Sequence, residues 1–278
     1  DQEQIRYTTD TAVLLSLICG LIVAALGWVF SPTILRLTNC PESCFDGAVL
    51  YLRIYFCGMP FNIAYNFGAA VLRAVGDTKR PLYILSLSGV VNVVLNLILV
   101  IVFHMGVAGV AIATVASQVI SAILVIRALT LREDCCHLNT KEIHIYKDKL
   151  IGMIKVGLPA GIQGSLFSLS NVIIQSSINS FGEIVISGNT AAANIESFVF
   201  AAFNAFYQAN VAFTSQNYGA KNKKRIDEVL ITCMIIVAAV GLVTGIGAYL
   251  FGNQLLGFYT TDPQVIQYGM NRLAIIST

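Results

Sequence analysis

Charge is what this sequence has least of. Asp, Glu, Lys and Arg make up 12% of its 278 residues, against 56% hydrophobic residues and a mean hydropathy of +0.75. A water-soluble domain of this length cannot be wrapped in so little charge, so the composition excludes that class and specifies an integral membrane protein. Histidine is scarcer still, with three in the chain and none deep in an apolar run. A membrane-embedded enzyme is thereby left without the base or metal ligands its chemistry needs, and no enzyme is expected. The seven cysteines make no framework. Cys19, Cys57 and Cys233 fall in apolar runs as small hydrophobes, while Cys40 and Cys44 share a loop and either pair or remain thiols. Cys135-Cys136-His137 with His144 lacks a regular zinc spacing, so neither a metal site nor a cofactor is expected. No cleavable signal peptide is visible.

What the chain has is apolar length. Runs bounded by charged or Gly/Pro-rich turns cover about 11–35, 50–72, 82–103, 106–128, 151–180, 187–214 and 229–252, and an eighth begins near 265. At about 1.5 Å per helical residue, a run such as Leu82–Phe103 crosses a bilayer core of about 30 Å. The fold expected is an all-α polytopic membrane protein with seven full helices and part of an eighth. Because the chain opens on Asp1 and stops inside an apolar run, it is read as a piece of a longer protein.

The few basic residues are unevenly placed. With loops taken alternately, one side holds Arg6; Arg73, Lys79 and Arg80; six between Arg127 and Lys155; and Lys221, Lys223, Lys224 and Arg225, which is fourteen of the 17. The positive-inside rule makes loops 73–81, 129–150 and 216–226 cytoplasmic. Topology accounts for these clusters, so no nucleic-acid partner is expected. The most polar segment divides the chain into 1–128 with four helices, a linker 129–150, and 151–278 with three helices and the start of a fourth.

Polar residues inside the runs recur at helical spacing. Ser88, Asn92 and Asn96 share one helix face, as do Asn62 and Asn66 beside Tyr65. Small residues Gly109 and Ala113 in the next run are expected to let Thr114 approach the Asn92 and Asn96 face. Gln163, Phe167, Asn171, Gln175 and Asn179 form a stripe with four amides, read as a buried or water-lined wall. Glu196, Phe200, Asn204 and Gln208 form another, flanked by Phe203 and Tyr207. Such amides also serve simply to hold helices together. Among 15 acidic residues Glu196 is the one well inside a run, either a functional carboxylate or a structural hydrogen-bond acceptor near the outer interface. No Lys or Arg is read at mid-membrane, Arg53 and Arg272 being placed near outer helix ends.

A repeat runs through the chain. A shift of about 221 residues lays Gly20-Leu21 on Gly241-Leu242, Trp28 on Tyr249, Phe30 on Phe251 and, after a small deletion, Pro41 on Pro263 and Arg53 on Arg272. Repeats six helices apart and pointing the same way imply two parallel six-helix lobes in the parent protein.

Gly76-Asp-Thr-Lys-Arg-Pro81, Gly106-Val-Ala-Gly-Val-Ala-Ile-Ala-Thr114, Gly157-Leu-Pro159 and Gln216-Asn-Tyr-Gly-Ala220 together resemble the bacterial branch of the multidrug and toxic compound extrusion (MATE) family. The resemblance covers essentially the whole chain, from about the family's third helix to its tenth. It implies two pseudo-symmetric six-helix lobes and a monomeric secondary antiporter of the bacterial inner (plasma) membrane. Such a protein exports organic, cationic amphipathic compounds by alternating access in exchange for Na⁺ or H⁺. The family's N-lobe cation site maps onto Asn92, Asn96 and Thr114, with Asn96 standing where an Asp is expected. Glu196 then becomes the candidate for proton coupling. Asn62, Tyr65, Asn66, Gln163, Asn171, Gln175, Phe203, Asn204, Tyr207 and Gln208 become candidates for the substrate cavity. Two alternatives are a flippase for a lipid-linked precursor, which the lack of mid-membrane Lys or Arg disfavours, and a seven-helix receptor, which the six-helix repeat disfavours.

Overall fold

The structure, a computed structural model, describes residues 2–37, 42–132, 138, 143–179 and 181–276. Among these, all regular structure is helical. Four long helices come first: α1 Gln2–Leu37, α2 Glu42–Ala74, α3 Lys79–Leu97 and α4 Gly106–Thr130. They are followed by α5 Lys147–Asn179, α6 Glu183–Gly219, α7 Lys223–Leu250, the short α8 Gly252–Gly257 and α9 Pro263–Ile276. Spans in α1, in α3 with its extension, and in α4, α5 and α7 are long and apolar enough to cross a membrane. Helices α2 and α6, at 33 and 37 residues, have the length and carry many of the polar residues singled out above.

The helices outrun their apolar stretches. Helix α1 begins at Gln2, nine residues before its apolar run, and passes through Pro32 to Leu37. Ser31 is fully buried and donates its hydroxyl to the Gly27 carbonyl. The chain divides into two compact units, residues 1–157 and 158–278. The division falls inside α5, at Gly157-Leu158-Pro159, and not in the polar segment 129–150.

In the first unit α2 lies between α1 and α4, and α3 packs on α4. Close approach depends on residues without side chains. A Cβ on Gly20 of α1 would stand 2.5 Å from Cα of Pro60, and one on Gly27 would overlap the Phe56 ring. The buried core of this unit gathers Val13, Tyr65, Leu72, Ile84, Val125 and Leu129. Leu138 and Ile143 join it from the segment after α4, Leu138 being 1% exposed. Tyr146 stacks on Tyr7 at 4.1 Å between ring centroids and donates its amide to Thr11 Oγ1 at 3.1 Å. The described part of the expected linker is therefore packed onto the end of α1 and α4.

Between α2 and α3 the chain reverses at Gly76, whose φ of +86° lies in the left-handed region that favours glycine. Asp77 closes this hinge. Its Oδ1 accepts the Arg80 amide at 3.2 Å, and its Oδ2 pairs with Arg132 Nη1 at 3.0 Å and Arg80 Nε at 3.3 Å. At its other end α3 runs into a π-helical turn, Ile98–Val102, in which the Phe103 amide reaches the Ile98 carbonyl at 3.1 Å. His104 and Gly106, both at φ of 52°, then turn the chain into α4.

In the second unit α6 packs against α7 and α9 around Ala191, Ala192, Ile195, Leu256 and Leu273. The order α1, outer segment, α2 recurs here as α7, α8, α9, with the repeat of α1 broken at Phe251 to give α8. Near the end of α5, Ile178 borders a small cavity with Val185 and Asn189 of α6 and Tyr268 of α9.

Candidate functional site

Two polar constellations sit inside helices, one in each unit. In the first unit, Ser88, Asn92 and Asn96 of α3 face α4, as their four-residue spacing requires. Ser121 donates to Ser88 Oγ at 2.7 Å, and Asn92 Nδ2 reaches Ser117 Oγ at 3.4 Å. Asn96 Nδ2 donates to Asn92 Oδ1 at 3.1 Å, whereas Asn96 Oδ1 is buried with no hydrogen-bond partner. Thr114 shares the α4 face of Ser117 and Ser121 but makes no direct hydrogen bond to the amides among the described residues. Its hydroxyl donates to the Val110 carbonyl at 2.9 Å, and Ser117 bridges by donating to the Thr114 carbonyl at 2.7 Å. A threonine inside an apolar helix satisfies its hydroxyl on the preceding turn when no nearer acceptor is offered. The seam is lined by amides and hydroxyls, groups that ligate a cation through oxygen but do not exchange a proton near neutral pH.

The second constellation is a cleft of about 590 Å³ between α6, α7 and α9. Glu196, Phe200 and Phe203 line it from α6, and Gly241, Gly245 and Ala248 from α7. Alanine and glycine on α7 leave the room that the two phenylalanines face. Glu196 stands thirteen residues from the start of α6, about 20 Å along the helix. It has a partner that the sequence reading did not assign. Arg272 Nη2 donates to Glu196 Oε2 at 2.7 Å. Arg272 Nη1 donates to the Asn189 carbonyl at 3.3 Å and to Asn189 Oδ1. Arg272 lies nine residues into α9 and turns onto α6, where it gives the partly exposed Glu196 carboxylate an opposite charge. The depth of Glu196 was the signal that a basic partner had to be sought.

The remaining candidates are distributed as follows. Asn66 Nδ2 donates to the carbonyl and to Oδ1 of Asn62, at 2.9 and 3.0 Å, and Asn66 is exposed. Tyr65 does not share their setting. It is buried in the core, and its hydroxyl donates to the Pro81 carbonyl at 3.1 Å, so it holds the hinge. Gln163, Asn171 and Gln175 lie on an exposed face of α5, and Asn204, Tyr207 and Gln208 continue the exposed side of α6 beyond the cleft. Within the second unit the cleft therefore brings together Glu196 and Phe203 and leaves these six outside. Asp10, 1% exposed within α1, was missed because the helix starts nine residues before its apolar run. Cys135-Cys136-His137 and Cys40 fall outside the described residues.

The family model described as MatE matches residues 1–98 and 159–278. A probable multidrug resistance protein of Bacillus subtilis (strain 168), YpnP, is 32% identical over 263 residues, covering 94% of this chain and 59% of that protein. A second from the same organism, YoeA, is 27% identical, covering 100% of this chain and 61% of its own length. The chain thus spans about three-fifths of the curated relatives it matches. Its fold is similar to that of a MOP superfamily transporter from Pyrococcus furiosus, with a TM-score of 0.87 at 21% identity, covering 98% of this chain and 61% of that one. It is also similar to an outward-facing multidrug resistance MATE family transporter, with a TM-score of 0.86 at 21% identity, covering 96% and 60%. The two matched segments fall one in each compact unit, on the helices that carry the hinge and the cleft, and the chain belongs to the MatE family of multidrug and toxic compound extrusion transporters.

Proposed function

We propose that the protein to which this chain belongs is a secondary antiporter of the bacterial inner membrane, acting as a monomer. It exports organic, amphipathic, cationic compounds by alternating access in exchange for Na⁺ or H⁺. The observation that carries this reading is the cleft at Glu196, in which a carboxylate faces two phenylalanine rings. Aromatic faces supply cation–π and apolar contact, and the carboxylate, though paired with Arg272, supplies oxygens at the wall, a combination that holds a lipophilic cation without demanding one shape. The seam at Asn92 and Asn96 adds support for an ion-coupled cycle. Its neutral oxygens suit Na⁺ better than H⁺, since Asn96 Oδ1 is a buried acceptor that lacks a donor.

The test is efflux of ethidium from cells expressing the full-length protein, with Na⁺ and proton gradients imposed separately. Extrusion that follows one gradient and stops when it is collapsed is the expected result. Extrusion indifferent to both gradients would sink the antiport reading.

The flippase alternative asks for several cations facing a pyrophosphate group. Arg272 is instead committed to Glu196 and Asn189.

A further inference from the structure

From the Glu196–Arg272 pair we infer that Arg272 is the residue that sets the charge selectivity of the α6, α7 and α9 cleft. It does so by neutralising Glu196 from behind. The inference rests on the reading of this cleft as a ligand site. Of the residues lining the cleft, Glu196 alone ionises. Without a partner, its partly exposed carboxylate beside so apolar a lining would favour a lipophilic cation over an anion. It is not alone. The Arg272 guanidinium sits 2.7 Å from one of its oxygens and is anchored on the far side by the carbonyl and side chain of the buried Asn189. Arg272 does not line the cleft, but Leu273 beside it does.

A ligand entering between Phe200 and Phe203 therefore meets a carboxylate whose charge is already answered. Seen from the cleft, the pair is a dipole and not a net charge. Size and aromatic surface then weigh more in what binds, and the sign of the ligand's charge weighs less than it would beside a lone carboxylate. The arginine is a specificity-determining positioning residue that broadens the range of ligands, since a cation can gain the carboxylate only in competition with a guanidinium that is already in place.

The experiment uses the full-length protein in nanodiscs and two probes of the same shape and opposite charge, tetraphenylphosphonium and tetraphenylborate. The quantity read is the change, from wild type to variant, in the ratio of their two dissociation constants, which cancels the unequal partitioning of the ions into lipid. Arg272→Gln is expected to shift the ratio toward the cation by about tenfold or more, and Glu196→Gln to shift it toward the anion. Arg272→Lys, which keeps the charge, should stay within about threefold of wild type.

A purely structural role for Arg272 would weaken both probes together and leave the ratio where it was, which would overturn the inference. If Arg272→Gln does not fold, Glu196→Gln decides alone, and an unmoved ratio there overturns it equally. Gly241→Leu, whose added side chain starts from a Cβ 3.3 Å from the Phe203 ring, should weaken both ions. If it weakens neither, or if wild type binds neither ion, the cleft reading fails and the inference falls with it. A bound cleft with an unmoved ratio removes only the role given to Arg272.

Discussion

Tyr65 of α2 donates its hydroxyl to the carbonyl of Pro81, in the first turn of α3, at 3.1 Å. The residue is 9% exposed and packs in the same core as Leu72 and Ile84. An aromatic ring on a central helix is thus tied to the backbone of the hinge that follows it. Tyr65→Phe keeps the ring and removes this one hydrogen bond, at a cost of about 0.5–1.5 kcal/mol. The expected outcome is a lower thermal midpoint for the purified protein in detergent. Tyr207→Phe, at a position 64% exposed, should leave the midpoint unchanged. Equal effects from both would show that the hinge bond contributes nothing.

Asp77 binds three groups at once: the Arg80 amide, the Arg80 side chain and Arg132. The first contact caps the start of α3, and the last joins the hinge to the chain leaving α4. Asp77 and Arg132 have side chains 19% and 15% exposed, so this pair is less screened than a surface bridge. Asp77→Ala removes cap and bridge together and should cost about 1–2 kcal/mol. Asp77→Asn keeps an acceptor for the Arg80 amide and should lose less. Hydrogen exchange at Arg80 and the residues just after it is the direct measurement. Exchange should speed in the order wild type, Asn, Ala, and identical rates in all three would refute the capping role.

The packing of α1 on α2 turns on Gly20. A Cβ there would lie 2.5 Å from a backbone atom of Pro60, too close for any rotamer to relieve. Gly20→Ala must push the helices apart, at about 1–3 kcal/mol. Gly89 on α3 has nothing within 4 Å of an added Cβ. There alanine should be neutral or stabilising by about 0.5–1 kcal/mol through helix propensity. Opposite signs for the two substitutions in a thermal melt are expected. A destabilisation of equal size at both positions would mean that helix–helix contact at Gly20 is not what that glycine provides.

How much of this was legible in the sequence depended on the range of the interaction involved. The long helices were, because their apolar length is written locally. Their ends were less so. Residues 2–10 of α1 are polar and helical, and hydropathy registers only the stretch inside the bilayer, so Asp10 escaped notice. The four-residue spacing of Ser88, Asn92 and Asn96 placed them on one face. It did not say which α4 residue would meet them, and Ser117 rather than Thr114 reaches Asn92. The partner of Glu196 lies 76 residues along the chain, where no local pattern points. Tyr65 sits between two asparagines in sequence, but one residue is about 100° around a helix, which turns it into the core.

Asn96 allows the sharpest test of the seam. Its Oδ1 is buried and accepts nothing, while its Nδ2 is spent on Asn92 Oδ1. The site therefore holds an acceptor oxygen without a donor and no negative charge to retain a cation. Asn96→Asp changes an amide into a carboxylate of nearly the same shape beside the oxygens of Asn92 and Ser117. A buried carboxylate without a counter-ion is costly, so the variant in choline chloride should melt below wild type. Sodium ions that enter the seam would supply the missing charge, and stability bought by ligand binding rises with ligand concentration. The expected result is a thermal midpoint that climbs with Na⁺ in Asn96→Asp by several degrees more than in wild type at equal ionic strength. If the two proteins respond to Na⁺ alike, the seam is a hydrogen-bonded contact between α3 and α4 and takes no part in cation coupling.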